Sequence, residues 1–254
     1  MNNIFTTLLC LLAATAATSC GPLERKADNL ARRMTEETFR SGRKPVVRQR
    51  EVVGSFQDIA VSTGIRVEIE QSEENSVEVS ADKEIVDRVQ TEVEGNTLRI
   101  LYRPGTSLRG TLTRTLVRVR CAELTGVSAA SGAAVTFAEG IESDRLELKA
   151  TSGARIDGEV QTDDLILSAT SGANLTLTGY TLRCKGSAKS GARIDASALV
   201  SERASVSATA GAGIRIFARE HLKASATGGA TVTYLGEPET SDLSAIGGGM
   251  IRRL

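Results

Sequence analysis

Two copies of one hexapeptide carry the densest side-chain chemistry in this chain: Ser152-Gly153-Ala154-Arg155-Ile156-Asp157 and Ser190-Gly191-Ala192-Arg193-Ile194-Asp195. Glycoside hydrolysis needs two carboxyl groups roughly 5 to 9.5 Å apart, and polysaccharide lyases need acids for calcium or a basic proton acceptor. Arg155 with Asp157, and Arg193 with Asp195, are the residues that could serve such chemistry or meet a bound glycan. The spacing also has a plainer meaning. Residues two apart on a strand point the same way, and an exposed Arg–Asp pair contributes only about 0 to 1 kcal/mol. The plainer meaning weighs more, so the four are weak ligand-binding candidates and no residue is assigned as catalytic.

Other reaction chemistry has less to stand on. His221 is the only histidine, so any Ser-His-Asp or Cys-His arrangement would depend on it alone, and no GxSxG elbow occurs. A histidine at a coil boundary on the surface is the reading adopted. The glycine runs 228–229 and 247–249 lack the aspartates of calcium-binding nonapeptide repeats, so neither metal nor cofactor is expected. With 31 basic and 31 acidic residues the formal net charge is zero, which gives no global field to draw nucleic acid.

Residues 1–20 read as a lipoprotein signal peptide. Ile4, Phe5, Leu8, Leu9, Leu11 and Leu12 form an uncharged apolar run, too short to span a bilayer, followed by small residues and Cys20. Ala17-Thr18-Ser19-Cys20 resembles a lipobox, so Cys20 is expected to carry the lipid anchor. Residues 21–45 are polar and rich in Arg and Lys, a tether between the membrane and the body. The expected location is the bacterial cell envelope, as an outer membrane lipoprotein facing the periplasm or the surface. Cys121 and Cys184 then lie in a compartment that permits disulfides. Coil counting nevertheless places them three coils apart, too far to pair.

The elements that must position these residues follow from periodicity. Residues 46–254 are read as one domain, with 46–120 its β-rich N-terminal part and 121–254 its repeats. In the first part Ile65, Val67 and Ile69, then Val77 and Val79, then Leu98, Ile100 and Tyr102, alternate with polar residues, as half-buried strands do. Ala81 to Val93 places Ile85, Val86, Val89 and Val93 on one side of a short helix. In the second part a decapeptide recurs, from SAASGAAVTF at Ser128 to SAIGGGMIRR at Ser244, with aligned glycines at 132, 153, 172, 191, 211, 229 and 248. A period of about 19–20 residues predicts a solenoid.

Two columns of that repeat are uniform. Ala129, Ala150, Ala169, Ala188, Ala208, Ala226 and Ala245 form one, and Val135, Ile156, Leu175, Ile194, Ile214, Val232 and Ile251 the other. Both must face inward, with the glycine at a sharp corner between them and a more variable return loop, such as 158–164, closing the coil. The chain therefore predicts an all-β, right-handed parallel β-helix. Thr151, Thr170, Thr209 and Thr227, and separately Thr136, Thr176 and Thr233, form polar ladders on its outside.

Phe56-Gln57-Asp58-Ile59-Ala60-Val61, Gly64-Ile65-Arg66-Val67-Glu68-Ile69-Glu70-Gln71, Gly95-Asn96-Thr97-Leu98-Arg99-Ile100 and the repeated Ser-Gly-Ala corners together resemble the DUF2807 group, the auto-transporter adhesin "head GIN domain" proteins common in Bacteroidetes. The resemblance spans about Arg50 to Ile251. It implies the fold and an adhesive role, and brings no catalytic or ligand residues with it. The functional expectation is a non-catalytic envelope lipoprotein that binds a glycan or an envelope or surface protein. The alternatives are a purely structural scaffold and, further off, a polysaccharide-active enzyme.

Overall fold

The computed structural model describes residues 45–51, 54–107 and 115–254. The signal segment 1–20 with Cys20, and the tether up to residue 44, lie outside the described residues. The rest is nearly all β, 69% strand, wound into a parallel β-solenoid of about 7 turns.

Its regular part is built from β8 (Gly126–Ala129), β9 (Ala134–Phe137), β10 (Ile141–Thr151), β11 (Arg155–Thr170), β12 (Asn174–Lys189), β13 (Arg193–Thr209), β14 (Gly213–Thr227), β15 (Thr231–Leu235), β16 (Thr240–Ile246) and β17 (Met250–Arg253). Each coil lies parallel to the next, and the alanine column stacks in register from Ala129 through Ala150, Ala169, Ala188, Ala208 and Ala226 to Ala245. The branched column stacks likewise from Val135 to Ile251.

The corners explain the repeated Ser-Gly. In Thr151-Ser152-Gly153-Ala154, Ser152 has φ 52° and Gly153 φ 74°, and the Ala154 amide donates to the Thr151 carbonyl at 3.1 Å. Positive φ at both central residues is the arrangement of a type I′ turn. Each glycine amide then donates to the residue before the glycine in the next corner, as Gly153 does to Ser171 at 3.1 Å and Gly172 to Ser190 at 3.1 Å. A Cβ on Gly153 or Gly172 would meet nothing within 4 Å, so backbone conformation, not space, keeps glycine there. The serine is the strained member of the pair, and the last two corners replace it with Gly228 and Gly247. Ser171→Gly is therefore expected to hold or raise stability, and Ser171→Val to lower it by about 1–2 kcal/mol; urea melts of the two variants check the order.

So tight a corner brings the strands on either side close together inside the coil. A second alanine column answers this: Ala133, Ala154, Ala173, Ala192, Ala212 and Ala230, just after the glycines, are all buried. The return segments are strand rather than loop, because residues 141–143, 160–162, 179–181 and 199–201 continue the parallel pairing. Inward-facing residues change parity between Thr162 and Leu165, where the coil bends again. Coil length varies away from the corners, at register irregularities between Thr176 and Thr178, between Ala196 and Val200 and between Ser201 and Arg203.

The solenoid reaches further toward the N-terminus than the glycine repeat. β2 (Asp58–Val61) and β3 (Arg66–Gln71) flank a corner of the same kind, with Thr63 at φ 62° and Gly64 at φ 67°. They pair in parallel with β8 and β9 on one side. On the other side they pair with β6 (Thr97–Tyr102) and β7 (Leu116–Cys121), which come later in the chain. The β2–β3 coil is thus slotted between two later ones. β4 (Ser76–Ala81) runs antiparallel to β7, β1 (Val46–Arg50) antiparallel to β4, and β5 (Val89–Glu94) antiparallel to β6, which ends the parallel stack. Arg118 fixes part of this end through Glu68 and Glu78, both at 3.1 Å.

The helix expected over 81–93 is reduced to one 3₁₀ turn, Val86–Arg88, followed directly by β5. Val89, Thr91 and Val93 alternate along that strand, and β-branched side chains fit a pleated edge better than a helix. At the opposite end nothing covers the last coil among the described residues: Ala245 is exposed, and Leu243 and Ile246 are 43% and 64% exposed.

Candidate functional site

The sequence candidates lie where the repeat put them. Arg155 and Arg193 share an outer column with Asn174 between them, and Asp157 and Asp195 share another with Thr176 between them. The pairing inside each hexapeptide is not made. Asp195 instead faces Arg215 of the next coil at 3.5 Å and accepts hydrogen bonds from the Ser197 amide at 3.2 Å and hydroxyl at 2.6 Å. Its pKa is lowered: desolvation pushes the other way, and the Ser197 hydrogen bonds and Arg215 outweigh it. A strand repeat stacks unlike neighbours side by side, so cross-coil pairing wins over pairing along one strand. Thr136 and Thr176 are exposed as expected, whereas Thr233 in the same column is buried, with Arg252 donating to its hydroxyl at 3.4 Å. His221 sits at a coil boundary with Nδ1 2.7 Å from the Thr240 hydroxyl.

Cys121 and Cys184 are both free and buried. Cys121 ends β7, a coil of its own, and the β2–β3 coil separates it from the first glycine coil; these two steps put the cysteines five coils apart rather than three, on the order of 24 Å at the strand spacing. Burial pushes the Cys121 thiol up to about 11 and the Cys184 thiol up to about 12. The folded state therefore holds these protons more tightly than the unfolded chain. That contribution to stability is complete below the ordinary thiol range and is lost as pH rises from about 9 toward 12. Iodoacetamide at pH 8 is expected to leave both thiols unmodified in native protein and to modify both after unfolding, read by mass spectrometry; a linked peptide pair would overturn the coil order.

A polar cleft lies elsewhere, on the return segments. Gln71, Glu142, Ser143, Asp144, Gln161, Thr162, Asp163 and Tyr180 line a cleft of about 460 Å³. It exists because the return sheet starts late. β10 supplies its first strand at residues 141–143, whereas the chain leaves β3 for β4 without making a return segment. The edge so created is closed by one side chain. Gln71 accepts from the Glu142 amide at 2.9 Å and donates to the Glu142 carbonyl at 3.0 Å and the Ala122 carbonyl at 3.1 Å, as a neighbouring strand would.

Across the cleft, Glu142, Gln161 and Tyr180 stack on successive strands. The pKa of the Tyr180 hydroxyl is raised, first by desolvation and then by Glu202, whose carboxylate accepts from Arg219 at 2.7 Å. Thr162 and Thr181 turn inward at the bend and donate to backbone carbonyls at 3.2–3.3 Å, which fixes the strands beneath. Alignment on the glycines passes over these residues, because they sit where coil length varies. Counted back from the next corner the position is constant, eleven residues before Gly153, Gly172 and Gly191, and the succession Glu142, Gln161, Tyr180 there is the signal that could have found them.

Among the described residues no group of three or more His, Cys, Asp or Glu side chains is placed to hold a metal ion. No helix among them is long and apolar enough to cross a membrane.

The fold is shared with solved structures. A "putative adhesin" from Bacteroides fragilis NCTC 9343 superposes with a TM-score of 0.77 at 20% identity, over 84% of this chain and 98% of that one. A "putative adhesin" from Parabacteroides distasonis ATCC 8503 gives 0.69 at 20% identity, over 83% and 97%. A "putative lipid binding protein" from the same organism gives 0.65 at 18%, over 83% and 97%. No curated protein matches the chain in sequence. The family model described as "Putative auto-transporter adhesin, head GIN domain" matches residues 55–238, from just before β2 to the connection between β15 and β16, and the chain belongs to that family.

Proposed function

We propose that this protein is a non-catalytic adhesin of the bacterial cell envelope, anchored by a lipid on Cys20 and binding through the outside of its solenoid. The observation that carries the reading is the outer surface itself. Successive coils of the glycine repeat are closed by corners of one kind, so polar side chains on successive strands are held in columns at one fixed spacing. Such a surface meets a partner with little ordering left to do, which is what a binding face needs. Membership in an adhesin-type family points to the envelope or surface and supports the same reading. The lipobox-like Ala17-Thr18-Ser19-Cys20 supports the anchor.

Two measurements test it. Cells expressing Cys20→Ala are expected to lose the protein from the membrane fraction, and retention there would move the anchor elsewhere. The full chain, purified in detergent, is expected to retain glycans or envelope components without turning them over. Consumption of an oligosaccharide would return the enzyme reading, and no binding of any kind would leave a structural scaffold.

A further inference from the structure

We propose that the cleft on the return segments is a carbohydrate subsite for an uncharged or amine-bearing sugar, with the sugar ring laid on Tyr180 and its hydroxyls taken by Gln161, Glu142 and Asp163. The proposal rests on the adhesive reading above and supplies its ligand class and its place on the fold.

Four observations narrow the ligand. The cleft, about 460 Å³, falls within the roughly 300–1,000 Å³ of small-ligand sites. Its lining holds amides, hydroxyls, carboxylates and one aromatic ring, with no aliphatic side chain, so an acyl chain would find no apolar wall. Glu142, Asp144 and Asp163 are not balanced by any basic residue in the lining, so phosphate, sulfate, uronic acids and sialic acid are disfavoured. An added peptide strand is excluded at this edge, because Gln71 already occupies both the amide and the carbonyl of Glu142. What remains is a compact molecule rich in O–H or N–H donors with one apolar ring face. A pyranose has that character, and tyrosine presents the matching apolar body with a polar rim.

The site is also rigid before anything binds. Glu142, Gln161 and Tyr180 are strand residues in register, and Asp163 sits at the bend where its carbonyl receives the Thr181 hydroxyl at 3.3 Å. Tyr180 is set against Glu202, which Arg219 holds in turn. A preformed array of acceptors beside a fixed aromatic face loses little on binding.

The experiment uses the full chain in detergent on an array of neutral, amine-bearing, sialylated and sulfated oligosaccharides. The best neutral or amine-bearing hit is then titrated by calorimetry, which reads wild type and Tyr180→Ala alike. Tyr180→Ala and Asp163→Asn are each expected to weaken binding about tenfold. Lys223→Ala, on β14 and outside the cleft lining, should leave it unchanged. Unaltered melting curves establish that the variants are folded. Full binding by folded Tyr180→Ala and Asp163→Asn would move the site elsewhere while the adhesive reading stands. Preference for sialylated or sulfated glycans would overturn the ligand class. Binding of envelope protein with no glycan retained would overturn the subsite alone, and absence of all binding would overturn both readings.

Discussion

Gly179→Ala is expected to lower stability by about 3 kcal/mol or more. Gly179 lies on the return segment of β12 between Val160 and Leu199, with φ 112°. A Cβ there would stand 2.1 Å from the Val160 carbonyl oxygen and 3.0 Å from its carbonyl carbon. That neighbour is backbone in a continuous sheet, so it cannot move without breaking pairing along the coil. Conformational strain and steric overlap therefore add. Gly172→Ala isolates the strain, since its Cβ would meet nothing within 4 Å, and should cost only about 1–2 kcal/mol. Urea melts of the two variants decide the matter: equal losses would mean that the return strands are not packed as closely as described.

Ala169→Leu is the second large effect, a loss of about 1–3 kcal/mol or more by overpacking. Ala169 is fully buried between Ala150 and Ala188, beside the corner whose tightness leaves no room for three more carbons. Thr170→Leu, one residue on and facing outward, should change stability by no more than about 0.5 kcal/mol. The column contains its own control. Ala245 has the same sequence context but is exposed in the uncovered last coil, so Ala245→Leu should be nearly neutral. If Ala169→Leu and Ala245→Leu melt alike, the assigned stacking is wrong.

The repeat was legible because its information is local. A Ser-Gly pair at positive φ, an alanine on either side and a branched residue three positions past the glycine are all written within ten residues. The insertion of β2–β3 was not legible, because Val61 pairs with Ile100 and Ala129 across separations that no periodicity records. The helix over 81–93 was misread because Val89 and Val93 satisfy a period of two as well as one of 3.6, and pairing with β6 decides between them. The candidate pairs at Arg155 and Arg193 were placed correctly in the columns, yet the partner that Asp195 takes belongs to the next coil, a choice that only stacking makes. The cleft escaped altogether, since it depends on a return segment that one coil omits.

That omission and the slotted coil have a kinetic side. A chain made N-terminus first offers β2 no neighbour until β6 exists, and its second neighbour, β8, is complete only at Ala129. At about 5–20 residues per second, the roughly 70 residues between β2 and the end of β8 take several seconds to synthesise. β6 is complete at Tyr102, so β2 has no stacking partner for the first part of that interval and only one for the rest, and the β2–β3 coil is closed on both sides only by strands made after it. An early segment that stays unpaired while later ones are made is in the state that threading through a membrane requires.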